Sequence, residues 1–182
     1  MRGDAKGDGL ARALPTFNAL PPQETEAALL RCCGAIRWAR GLAAMRPFAT
    51  SEALLEIADD LWWALTPDDW RQGFSAHPKI GAKLDTHGGA SASWSAKEQA
   101  GAGSADSQTR AALARLNDEY ESRFGHIFIV CATGLTGDQM LERLRIRLHN
   151  DPQTEMAIAA AEHLQITKLR LQKTLADLVE AR

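Results

Sequence analysis

Residues 152–178 read PQTEMAIAAAEHLQITKLRLQKTLADL, 27 residues with a proline only at the first position and no glycine. Proline fits the first helical turn, and Ala, Leu, Gln, Glu and Lys are strong helix formers. The stretch therefore predicts one helix of roughly 40 Å, at about 1.5 Å per residue. Leu164, Leu171, Leu175 and Leu178 form its apolar stripe. Arg170 falls about 100° around from Leu171, on the flank of that stripe, a position suited to a solvated charge or to a cation overhanging a pocket.

The same bias extends outward over all 182 residues, where 32 Ala and 22 Leu stand against 8 Ile and 2 Val. Such a composition favours helix over strand. The fold expected is all-α, a single-domain helical bundle of about 7–9 helices ending in the long one. Several helix starts are legible. Pro21-Pro22 opens a stretch to Cys33, Gly34 interrupts it, and Ala35–Met45 continues to Pro47. Thr50 or Ser51 caps Glu52–Leu65, Thr66-Pro67-Asp68-Asp69 starts a helix that His77-Pro78 ends, and Asp106 caps a helix to Phe124. Thr136 with Gln139 has the spacing of a capping box. Ser95 with Glu98 has it too, predicting a short helix within the Gly-, Ala- and Ser-rich segment from Ile80 to Gly103. Ile127–Ala132 gathers three of the ten Val and Ile residues, so buried extended backbone is expected there. Residues 1–14 lack periodicity and read as a flexible leader to a domain over 15–182.

Charge and composition exclude several functions. With 21 Lys plus Arg against 23 Asp plus Glu, a net charge near −2 supplies no field for a polyanion, and no nucleic-acid partner is expected. No window approaches the ~18 uninterrupted apolar residues of a membrane span. Neither a signal peptide nor a peroxisomal tripeptide is visible, so a cytoplasmic location without a membrane partner is expected. Cys32, Cys33 and Cys131 suit neither a disulfide framework nor a metal knuckle and read as reduced, buried thiols. His87, His126, His149 and His163 show no paired metal-ligand spacing, so no metal site is expected. Trp62, Trp63, Trp70 and Trp94 lack an accompanying basic patch and read as core or dimer contacts.

The chemistry-bearing residues each carry two readings. His77 precedes proline, which restricts its backbone and aims the ring from a fixed loop, as a general acid or base requires. The plainer reading is a loop imidazole bonded to backbone. Glu98 either closes the capping box with Ser95 or faces the His77 cleft and stabilises an imidazolium. Gln99 offers donors and an acceptor to a planar polar ligand. The backbone of Phe128–Val130 either meets a ligand or forms a buried turn bonded to neighbouring helices.

Taken in order, Arg46-Pro47-Phe48, His77-Pro78-Lys79-Ile80-Gly81, Trp94-Ser95-x-x-Glu98-Gln99-x-Gly101, Asn117-x-x-Tyr120, Phe124-Gly125-x-x-Phe128-Ile129-Val130, Asn150 and Glu155 through Arg170-Leu171 form one pattern. It resembles the 2-oxo-4-hydroxy-4-carboxy-5-ureidoimidazoline (OHCU) decarboxylases over about Phe17 to Leu175. The resemblance implies a helical homodimer that converts OHCU to (S)-allantoin and carbon dioxide in urate breakdown, using neither metal nor organic cofactor. It puts the catalytic histidine on His77 and its partner carboxylate on Glu98. Substrate contacts would fall on Pro78, Ser95, Gln99, the backbone at Phe128 and Val130, and Arg170. Two departures stand out: His126 where the family often has an aromatic residue, and the Gly- and Ser-rich stretch Asp85–Ser93. The competing reading is a catalytically inactive helical module that binds other urate-degrading enzymes.

Overall fold

The computed structural model describes residues 4–81 and 89–180. Ten helices occur among them: α1 (Asp4–Ala19), α2 (Pro22–Cys33), α3 (Ile36–Ala44), α4 (Ser51–Trp63), α5 (Pro67–Ser75), α6 (Gly89–Glu98), α7 (Ala100–Gly103), α8 (Ser107–Phe124), α9 (Gly137–Arg147) and α10 (Pro152–Glu180). No strand occurs among the described residues, so the all-α architecture and the long final helix agree with the composition.

Two differences account for the higher helix count. Where the sequence suggests a leader without structure, α1 runs from Asp4, and its Ala13, Leu14 and Phe17 are buried at helical spacing. Pro15, inside this helix, conceals the pattern. The four-residue α7 follows α6 after a single residue.

The helices fall into two compact units, residues up to Asp69 with those from Ile166 onward, and Trp70–Gln165. In the first, α2 packs on α3 and α3 on α4. Trp38 and Trp62 are fully buried, and the Trp38 indole N–H donates to the Ala58 carbonyl at 2.9 Å. Arg46 donates to the carbonyls of Phe17, Asn18 and Leu20 at 3.1, 3.3 and 2.8 Å, satisfying acceptors left over at the end of α1. Asn18 and Phe48 exchange two hydrogen bonds at 2.9 and 3.0 Å. The Arg46-Pro47-Phe48 motif thus serves as a latch on the end of α1; its Arg46–Pro47 peptide is cis. Cys32 and Cys33 are buried thiols outside any disulfide, and burial pushes the Cys33 thiol up to about 12, which keeps it protonated and unreactive.

In the second unit, Leu113, Leu116, Tyr120 and Phe124 of α8 meet Met140, Leu141, Leu144 and Leu148 of α9 and its cap, with Phe128 and Val130 closing the cluster. Glycine allows α7 and α9 to approach closely. A Cβ on Gly137 would lie 2.5 Å from that of Ala105, and one on Gly101 would land on the Leu135 carbonyl oxygen.

Helix α10 contributes to both units and buries two parallel rows. Met156, Ala160, Leu164, Leu171 and Leu175 form the apolar row, while Glu155, His163, Thr167, Arg170 and Thr174 are buried beside them. No helix among the described residues is long and apolar enough to cross a membrane.

Candidate active site

The His77–Gly81 loop leaves α5 in a turn closed by the His77 N–H donating to the Phe74 carbonyl at 3.0 Å. Three side chains then hold it. The Gln99 amide donates to the Pro78 carbonyl at 3.3 Å and accepts from the Gly81 N–H at 3.2 Å. Asn117 donates to the Ile80 carbonyl at 3.2 Å while also bonding Leu113 within α8. Lys79 turns to Asp118 and Glu121, at 2.8 and 2.7 Å. Gly81 adopts φ +77°, a conformation that favours glycine. The His77 ring meets the ring of His163 edge-on, with centroids 4.9 Å apart, and His163 in turn lies against Phe74 at 5.5 Å.

Glu98 and Ser95 are not a capping box. Helix α6 begins at Gly89, so Ser95 lies within it and Glu98 is its last residue. An N-cap side chain satisfies N–H groups of a first turn, and no first turn exists at Ser95. Both residues are buried, Glu98 at 8% exposure. The Glu98 charge reaches Cys131, whose thiol is raised above its ordinary value by burial and then by Glu162 and Glu98. Gln99, expected as a ligand contact, directs its amide to the His77 loop and does not cap α7.

Residues 127–132 are irregular, with Phe128, Ile129, Val130 and Ala132 buried and no ladder partner among the described residues. Side chains anchor them. The Ile129 carbonyl accepts from Arg147 at 2.7 Å, and the Cys131 N–H donates to Glu162 at 2.7 Å. Arg147 is itself held by Glu155 at 2.8 Å through Nε, and its guanidinium lies 4.7 Å from the centre of the Phe128 ring. Glu155 also accepts from Asn150 at 2.7 Å and from the Tyr120 hydroxyl. Burial raises the Tyr120 hydroxyl far above its usual range, so it stays a donor. His126 lies within a cage of Phe74, Tyr120 and Phe124. Burial lowers its affinity for a proton.

Within the second unit, the Gln99 clamp ties the loop that carries His77 and Pro78 to the residue after Glu98, at the end of the helix that carries Ser95, and the Glu98 charge reaches Cys131, next to Val130. Arg170 belongs to the first unit, where it is 2% exposed and not the solvated charge that its flank position allows. Sequence pattern gave no role to Arg147 or Glu162, and weighed His163 only as a metal ligand. Arg147 carried a signal: it lies seven residues after Met140 and three after Leu144, on the apolar stripe of α9, where a charge must find a buried partner. Among the described residues, no group of three or more His, Cys, Asp or Glu is arranged to hold a metal ion. His87 lies outside the described residues.

The second unit is thus an all-helical scaffold in which a histidine-bearing loop is clamped by the residue that follows a buried carboxylate. The family model for OHCU decarboxylase matches residues 18–172. The chain is 37% identical over 149 residues to the Arabidopsis thaliana "Uric acid degradation bifunctional protein TTL", covering 80% of this chain and 46% of that protein. It is 35% identical to the 2-oxo-4-hydroxy-4-carboxy-5-ureidoimidazoline decarboxylase of Amia calva, over 70% of this chain and 73% of that one. Among solved structures, an OHCU decarboxylase crystallised in the presence of (S)-allantoin superposes with a TM-score of 0.71 at 32% identity, over 81% of this chain and 96% of that one. The chain belongs to the OHCU decarboxylase family. It spans about half the length of the Arabidopsis relative.

Proposed function

We propose that this chain, through its 15–182 region, decarboxylates OHCU to (S)-allantoin without a cofactor, with His77 as general acid/base and Glu98 as its partner. The observation that carries this reading is the loop clamp: the histidine lies on a loop fixed at Pro78 and Gly81 by the residue next to a buried carboxylate. The substrate supplies its own electron sink. One ring carbon bears both hydroxyl and carboxylate beside a C=N bond, so the electron pair freed as carbon dioxide departs moves toward that nitrogen. That nitrogen takes up a proton from solvent, the hydroxyl loses its proton as the carbonyl forms, and the neighbouring carbon gains one. His77 handles one of these protons, and delivery to a single face fixes the (S) product.

Ser95, Gln99, Arg170, the Pro78 loop and the backbone at Phe128 and Val130 hold the substrate in this reading. A tight grip on the carboxylate alone would stabilise the ground state, so the stronger bonds belong at atoms that gain charge. A cytoplasmic homodimer completes the proposal, checked by light scattering of the purified chain and by fractionation.

The test follows freshly generated OHCU by circular dichroism. Wild type accelerates appearance of the (S) signal, while His77→Ala keeps the helical spectrum and returns the rate to that of the buffer. Wild-type protein that yields only slow, racemic product would sink the enzyme reading and favour the inactive helical module.

A further inference from the structure

The segment 127–132 has no strand or helix of its own, so its conformation is imposed from outside. The anchors fall on alternate residues. Arg147 takes the Ile129 carbonyl, and Glu162 takes the Cys131 N–H. Neither the backbone of Phe128 nor that of Val130 is engaged by another described residue, although both residues are buried. Buried peptide groups without protein partners are costly unless a ligand or water meets them. Arg147 reaches Ile129 from a fixed pose. One Nη donates to the carbonyl, while Nε and the other Nη meet Glu155 at 2.8 and 2.5 Å. Glu155 is fully buried, and it also accepts from Tyr120 through Oε1 and from Asn150 through Oε2. The planar fork of a guanidinium makes this two-sided contact; an ammonium meets the carboxylate as a point charge.

We propose that Arg147, held by Glu155, is a positioning residue: by pinning the Ile129 carbonyl, it turns the peptide groups of Phe128 and Val130 toward the substrate. The inference rests on the OHCU decarboxylase reading given above. Its chemistry lies in binding, so its signature is a change in KM. The catalytic proton transfer at His77 is left alone.

Steady-state kinetics of the purified full chain on freshly generated OHCU, compared for wild type and Arg147→Lys, supply the test. Lysine keeps the charge opposite Glu155 and loses the simultaneous bond to Ile129. KM should rise about tenfold, with kcat per folded enzyme changed less than threefold and the kcat–pH profile retaining its shape. Tyr120→Phe removes one donor to Glu155 and the 3.4 Å acceptor of one Arg147 Nη, but spares the bond of the other Nη to Ile129, so its KM should stay within twofold of wild type even where its melting temperature falls. A purely structural role predicts an unchanged KM for Arg147→Lys, with loss only of active protein, and that result overturns the inference. Should Arg147→Lys not fold, Glu155→Gln carries the same test with a KM increase of about threefold; an unchanged KM there is equally fatal. Failure of wild type to turn over OHCU removes the functional reading and this inference with it. Active wild type with unshifted variants removes this inference alone.

Discussion

Thr136-x-x-Gln139 and Ser95-x-x-Glu98 carry the same four-residue signature and come to opposite ends. At Thr136 the helix starts: the hydroxyl accepts from the Gln139 N–H at 3.2 Å, and the Gln139 amide accepts from the Thr136 N–H at 2.9 Å. Both side chains are used by the backbone. At Ser95 the helix is already ending, so Ser95 and Glu98 are buried without capping a first turn, and Glu98 is the carboxylate proposed above as the partner of His77. The signature reports only that a hydroxyl and an acid or amide are one turn apart. Which end of a helix they occupy decides whether they can cap it.

This contrast is open to direct tests. The largest effect is expected from Glu98→Gln, which keeps shape and hydrogen-bonding capacity but removes the charge. Turnover should fall by about 10²- to 10⁴-fold, the usual range for losing acid–base assistance, with a melting temperature close to wild type. A large loss of thermal stability with turnover retained would return Glu98 to a structural role. Thr136→Ala should do the reverse, costing about 1 kcal/mol in denaturant unfolding and leaving kcat and KM unchanged. A kinetic defect there would erase the distinction between the two turns.

The smallest effect concerns the background against which both are measured. His126 is held neutral by burial, so its folded pKa lies below the ordinary 6.5. The unfolded chain then binds more protons as pH falls through that range, and the stability from the neutral ring is present above about pH 6.5 and lost as pH falls through the folded pKa. His126→Phe, which restores an aromatic ring to the cage, should flatten the stability–pH curve on the acid side and match wild type near pH 8. Parallel wild-type and variant curves would assign the acid sensitivity elsewhere.

These cases show which features are readable in a sequence. Caps at Thr50, Asp106 and Thr136 were legible because a helix start is a local event, decided by three or four neighbouring residues. The long α10 was legible because no residue within it opposes helix. Burial of Arg170 was not, since a polar row beside an apolar row reads as an exposed flank until a second layer covers it. The resemblance motifs also mixed two kinds of residue. Asn117, Tyr120, Asn150 and Glu155 turn out to hold loops and buried charges. His77, Glu98 and Gln99 lie where the proposed chemistry is. Spacing alone does not separate scaffold from reagent, because both demand fixed neighbours.

The Gln99 clamp has a consequence for how the site tolerates motion. The loop bearing His77 is referenced to the side chain that directly follows Glu98, so the last turn of α6 acts as a common datum for both groups. Thermal displacement of that turn carries histidine and carboxylate in the same direction. The error that matters, their relative offset, grows more slowly than the displacement of either one.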